Sequence, residues 1–178
     1  MVRGNLALIG HIAPPYGTSI LDISDPENPK VLSTIMLEDE YSHTHKARFA
    51  GQRDIMVINS EMHNRHFLRK GFEIPAHADE LGERFGRAPT DNELAEALGA
   101  PVERLSELRA TLERGYDQGG FKVYDISDPT KPEPLAFQKT GGMGVHRFDC
   151  DEEYAYISTE MEGYHGNIIV IYDIRDVA

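Results

Sequence analysis

The residues in this chain best suited to chemistry are histidines and glutamates. His43-Thr44-His45 sets two imidazoles two positions apart. Side chains alternate along a strand, so an extended backbone would point both rings to one face, a geometry that can chelate a metal ion. Glu61, His63 and His66 follow, and a second, sparser set comprises His146, Glu160 and His165. A divalent ion held by imidazole and carboxylate is the chemistry such a set supports, with His43, His45, Glu61, His146 and Glu160 as candidate ligands. The competing reading is architectural. A buried imidazole is often satisfied by a neighbouring backbone group, and no His-Glu-x-x-His pattern is present. Glu61-Met62 and Glu160-Met161 also sit at matching places in a repeat.

Nucleophilic catalysis has little to draw on, so no catalytic residue is expected. Cys150 is the single cysteine and lies in Asp149-Cys150-Asp151-Glu152-Glu153, where four carboxylates should raise its thiol pKa. One cysteine cannot form an internal disulfide or hold zinc by itself. Ser42 and His43 are adjacent, which in a strand sends them to opposite faces. There is no Gly-x-Ser-x-Gly, P-loop or dinucleotide fingerprint, and Gly141-Gly142-Met143-Gly144 leads into a strand instead of a helix. Arg48 with Asp54, and Arg147 with Asp149, read as local ion pairs or solvated turns.

The elements that must position these residues are repeated. Gly17-Thr18-Ser19-Ile20-Leu21-Asp22-Ile23-Ser24-Asp25-Pro26 returns at Gly119 to Pro129, and a third start runs from Gly166 to Asp176. A second piece, Arg48-Phe49 followed by Ile55 to Met62, matches Arg147-Phe148 followed by Tyr154 to Met161. Asp125 and Asp173 are 48 residues apart, whereas Asp22 and Asp125 are 103 apart, so one unit carries an insertion of about 55 residues. Short β-branched runs are bounded by Asp-Pro-x-x-Pro, in which Asp caps the backbone and Pro fixes φ. Each unit therefore reads as four antiparallel strands. One begins near His45 or His146, one passes through Val57 or Tyr156, and one through Leu21, Val123 or Val170. The outer strand lies at Lys30 to Met36 or Pro134 to Gln138. Four antiparallel strands in about 45 residues make a propeller blade.

These phrases, Ile20-Leu21-Asp22-Ile23-Ser24-Asp25-Pro26 and Val123-Tyr124-Asp125-Ile126-Ser127-Asp128-Pro129, resemble the LVIVD-repeat β-propeller proteins over roughly residues 5–65 and 117–178. The resemblance implies a closed ring of about six to eight blades used as a binding platform. With the insertion removed, the chain supplies fewer than three blades. It starts at a second strand, Asn5 to His11, and stops just after a third. The expectation is thus of a gene fragment, a split half or a subunit that completes its ring with other chains. A more distant likeness, to the selenium-binding proteins, implies a metal-binding or metal-dependent propeller.

The insertion reads as three helices. The first covers about Ala76 to Phe85 and places Leu81 and Phe85 four apart. The second opens at the capping-box pattern Thr90-Asp91-Asn92-Glu93 and ends at Gly99. The third starts at Pro101 and carries the stripe Val102, Leu105, Leu108 and Leu112, faced by Leu94, Ala95 and Leu98. Ile74-Pro75-Ala76-His77, Gly86 to Gly99 and Val102 to Leu108 resemble region 3 of bacterial primary sigma factors, which implies a role in transcription. Charge opposes that reading, since residues 66–116 hold seven Lys and Arg against ten Asp and Glu.

Composition agrees with an ordinary globular chain. It has 178 residues, 40% hydrophobic and 27% charged, which excludes collagen, mucin and wholesale disorder. A formal charge of -12 disfavours nucleic acid as a partner. No apolar run reaches the roughly 20 residues of a membrane span and no signal peptide is read, so a cytoplasmic location without a membrane anchor is expected. The expected architecture is mainly β. It is a partial β-propeller of about 2.5 four-stranded antiparallel blades, formed by residues 1–65 and 117–178, with an inserted three-helix segment at 66–116. The expected function is a non-enzymatic interaction or ligand platform completed by further blades. The alternatives are a metal-binding propeller and a transcription-related module.

Overall fold

The computed structural model describes residues 1–13, 16–37, 42–62, 66–110, 119–141, 144–159, 161 and 163–177. The chain divides into two compact units: one joins Met1–Met62 with Gln118–Ala178, the other is His63–Asp117. The first unit is made of open antiparallel sheets and the second is helical, so the chain is mainly β.

Sheet 1 is the meander β1 (Val2–Arg3), β2 (Leu6–Gly10), β3 (Thr18–Asp22) and β4 (Lys30–Ile35). Sheet 2 contains β5 (Ser42–His43), β6 (Ala47–Phe49), β7 (Ile55–Met62), β8 (Gly120–Asp125) and β9 (Glu133–Lys139); β5 and β6 both pair with β7. Sheet 3 contains β10 (Arg147–Cys150), β11 (Tyr154–Thr159) and β12 (Ile168–Asp173). Every pairing is antiparallel, and apart from β5, which pairs with β7 as β6 does, strands successive along the chain within a sheet lie side by side, β7 and β8 doing so although the helical unit separates them in sequence. The second strand of sheet 1 is thus not the first element of the chain, because Val2 and Arg3 pair with Ala7 and Leu6 ahead of it.

The repeat is visible at atomic level. Asp22, Asp125 and Asp173 each close the third strand and accept a hydrogen bond from the backbone N–H two residues on, at 2.8, 2.7 and 3.0 Å. That bond is the main reason the Asp22 and Asp125 carboxyls lie below the ordinary range. The Asp-Pro turns close through Asn28 N–H to Asp25 O and Lys131 N–H to Asp128 O, both 3.0 Å. A register irregularity recurs at the same place, between Ile20 and Leu21 and between Val123 and Tyr124.

Two cores hold the sheets together. Leu8, Ile20 and Leu37 of the first sheet region pack on Ala47, Phe49, Met56, Ile58, Tyr124 and Ile126. Ala50, Ile55, Val57, Phe121 and Val123 pack on Val145, Phe148, Ala155, Ile157 and Ile174. Sheet 2 is therefore buried on both faces, and each fully buried large aliphatic side chain contributes about 1.5–3 kcal/mol. Arginines fasten the turns at the rims. The Arg3 guanidinium donates to the Arg53 carbonyl and, at 2.9 Å, to Asp54. Arg53 donates to the carbonyls of Glu152 and Ile174 at 2.9 and 2.7 Å. The ion pairs differ from the local ones expected: Asp54 takes Arg3, and Arg48 reaches Asp149 at 3.1 Å.

The helical unit has its own core of Ile74, Leu94, Leu98, Leu105 and Leu108. Helix α1 spans His66–Phe85 and so begins well before the expected Ala76, with Pro75 inside it. Pro75 forfeits one backbone hydrogen bond, but burial of Ile74 in the core offsets that loss. Helix α2 spans Asp91–Ala97, and its capping box forms as read: Glu93 N–H donates to the Thr90 hydroxyl and Thr90 N–H to the Glu93 carboxylate. A 3-10 turn, Val102–Arg104, then runs into an α-helix at 105–110. Val102 is exposed in that turn instead of lying on the buried stripe, and Leu112 falls outside the described residues. Among the described residues no helix is long and apolar enough to cross a membrane.

The Arg87 guanidinium, followed by Thr90, holds the Glu93 carboxyl at about 2, below its usual 4.5. A depressed carboxyl pKa contributes stability that is present above about pH 4.5 and lost as the pH falls toward 2. The helical circular dichroism signal should therefore weaken over that window. Thr90→Ala should cost about 1 kcal/mol in urea unfolding of the helical unit at neutral pH.

Candidate metal centre

The site grows from strand β7. Ile55–Ile58 is apolar on both faces, and Asn59, Ser60 and Glu61 then continue the same strand into buried surroundings. His43 on β5 is the direct cross-strand partner of Glu61, so the two side chains share a face. His45 lies two residues on, and its imidazole Nε2 donates to Glu61 Oε2 at 3.0 Å, while His43 Nε2 lies 3.8 Å from the same oxygen. The His43 and His45 rings are stacked, with centroids 5.7 Å apart. Across the boundary to sheet 3, His146 Nδ1 donates to Glu61 Oε1 at 2.7 Å, and its ring lies 5.1 Å from that of His45. Three imidazoles thus converge on one buried carboxylate.

His43, His45 and Glu61 form a group that could hold a metal ion, with one potential ligand atom from each lying within 4.8 Å of the others. Bonds of about 2.1 Å to an ion in tetrahedral geometry set ligand atoms about 3.4 Å apart. The 3.0 and 3.8 Å separations to Glu61 bracket that value, and all three ligand atoms lie within 4.8 Å of one another. Two nitrogens and one oxygen suit zinc, copper, nickel or iron better than calcium. Glu61 and His43 are buried, whereas the His45 side chain is 27% exposed and that of His146 58% exposed, so the cluster opens to solvent on one side.

Of the candidate ligands, the structure brings His43, His45, Glu61 and His146 together. Glu160 and His63 lie outside the described residues, as does the side chain of His66. His165 is exposed in the turn near Gly163 and Gly166.

Three positioning residues, Asn59, Gly144 and Gly10, were not singled out for that role from the sequence. The buried Asn59 side chain accepts from Lys46 N–H at 3.0 Å and donates to the Val145 carbonyl at 2.7 Å. It thereby fixes the residue after His45 and the residue before His146. The available signal was an Asn inside a strand otherwise built from residues that favour β structure. Gly144 has φ of +91°, and a Cβ there would stand 2.3 Å from the Ser60 carbonyl oxygen. Only glycine lets the chain approach β7 closely enough to bring His146 over Glu61. Gly10 serves similarly beneath His45, since a Cβ would meet the Thr44 oxygen at 2.8 Å.

In the helical unit, three of the basic side chains that a nucleic-acid reading would use face carboxylates. Arg87 pairs with Glu93, Arg104 with Glu107 and Arg109 with Asp91, each at 2.7 Å.

Cys150 lies apart from this chemistry. Its thiol contacts the Phe49 carbonyl at 3.6 Å and is pushed up to about 12, first by burial and then by the charge of Asp149. The carboxylates weighed from sequence are the smaller cause. The native state keeps this proton above about pH 8.5, where an unfolded thiol loses it, so its contribution to stability is lost as the pH rises from there toward 12. Ellman's reagent at pH 8 should label the native thiol slowly and the urea-unfolded thiol at once; prompt native labelling would contradict the burial.

Asn59→Ala should lower stability by about 1–3 kcal/mol in urea unfolding, because Lys46 N–H and the Val145 carbonyl lose their partner. Comparison of the sequence with protein-family models and with curated proteins finds no match.

Proposed function

We propose that the β unit is a non-enzymatic ligand platform whose ligand is a divalent transition-metal ion, with His43, His45 and Glu61 as ligands. The observation that carries this reading is the convergence of two imidazoles and a carboxylate, held by the cross-strand pair His43–Glu61 and by His45 in the short link between β5 and β6. His146 would orient Glu61 by binding its other oxygen, the arrangement by which outer groups fix a metal ligand. The open side at His45 and His146 leaves a position where water or a small anionic ligand could complete the coordination sphere.

In the same reading the three sheets are consecutive blades of a β-propeller. The support is their shared strand order, the Asp turns at equivalent positions and the recurring register irregularity. The site then falls at the first strands of two successive blades, where loops and strand ends gather on such scaffolds.

The test is metal analysis of protein purified without a histidine tag, followed by calorimetric titration with Zn²⁺, Cu²⁺ and Ni²⁺. One equivalent should bind. His45→Ala and Glu61→Gln should each abolish stoichiometric binding, and His146→Ala should weaken it by about 10- to 100-fold. If the folded wild-type chain takes up no ion at stoichiometric ratio, the cluster is a proton-bridged structural network and the metal reading fails.

A further inference from the structure

We propose that the β unit assembles head to tail with a second copy of the chain, the outer face of sheet 3 packing on the outer face of sheet 1 of the next molecule. The inference rests on the strand registers and is independent of the metal reading.

Three cross-strand pairs hold the same place in the three sheets: Leu8 with Ile20, Val57 with Val123, and Tyr156 with Ile171. Each lies two residues inside the pair that contains the strand-closing Asp, namely Leu6 with Asp22, Ile55 with Asp125 and Tyr154 with Asp173. Leu8 and Ile20 are buried in the core shared with sheet 2, and Val57 and Val123 in the core shared with sheet 3. In sheet 3 the equivalent face is bare: Tyr156 is 36%, Ile171 60% and Ile169 73% exposed, although Phe121, the counterpart of Ile169, is 2% exposed.

The opposite faces follow the same rule. Met56, Ile58 and Tyr124 meet sheet 1, and Ala155, Ile157 and Tyr172 meet sheet 2. Their counterparts in sheet 1 are Ala7, Ile9 and Leu21, and there Ile9 is 44% exposed beside Val2 at 61%. Both internal interfaces therefore join a face of the first type to a face of the second. The two faces left over are one of each type, so they complement each other and not themselves. Symmetric pairing would press like on like, whereas a head-to-tail contact repeats an interface the molecule already makes twice. Exposed apolar patches of this kind mark association surfaces.

Light scattering after size-exclusion chromatography of the full chain, over a concentration series, tests the idea. The wild type should show assembled species. Ile9→Lys alone, and Ile169→Lys with Ile171→Lys, should each weaken assembly by at least about 100-fold while leaving circular dichroism unchanged, because all three positions are exposed. Each variant keeps one intact face of opposite type, so an equimolar mixture of the two should form a one-to-one pair. A wild-type chain that stays monomeric throughout, assembly that survives the sheet 3 substitutions, or a mixture that fails to pair would overturn the proposal. Should Ile169→Lys with Ile171→Lys not fold, Ile169→Ser with Ile171→Ser tests the same face.

Discussion

Burial of β7 on both faces is the constraint on which the β unit depends. The strand pairs with β5 and β6 on one side and β8 on the other, and its alternating side chains enter two different cores. A slip of one residue would exchange Met56 and Ile58 with Ile55 and Val57, and would drive Asn59 and Glu61 to faces where nothing receives them. The same register that packs the cores thus decides where the polar end of the strand points. Sheets 1 and 3 are then placed by the surfaces β7 and β8 offer them.

Glu61 is the expensive residue of this arrangement. A buried carboxylate costs several kcal/mol unless opposite charge or good donors face it, and here three imidazoles do so. A proton on the ring nitrogens or a cation among them would satisfy the same electrostatic demand. Asn59 belongs to the same economy of buried polar groups, since it supplies partners to two backbone segments from different parts of the chain. Glu61 and His43 are held by paired strands, whereas His45 and His146 sit in the short links that lead into β6 and β10.

The helical unit is organised differently, because its contacts are local. Among the described residues its core is built on Ile74, Leu94, Leu98, Leu105 and Leu108, and three of its arginines, Arg87, Arg104 and Arg109, are matched by carboxylates on the same unit. Such pairs add little to stability in water, but they cancel the field that a phosphate backbone would need. The likeness to sigma region 3 is one of helix punctuation and apolar spacing, features that any small helical hairpin core can share.

Strand alternation, the Asp-Pro turns, the repeat and the Thr90–Glu93 capping box were all legible in the residues, because they depend on periods of two or on partners three positions away. So was the set of His and Glu side chains worth weighing. Their assembly was not. His146 meets Glu61 across 85 residues and Arg48 meets Asp149 across 101, and no local spacing encodes such pairs. Nor did sequence place Ile74 in the helical core, so the length of α1 was underestimated at Pro75, a residue that usually begins a helix. The sequence by itself determined the strands, their turns and the presence of a helical insertion, though not where α1 begins. Only tertiary packing decided which face of each strand meets which neighbour, because that choice is made by the joint burial of several strands at once.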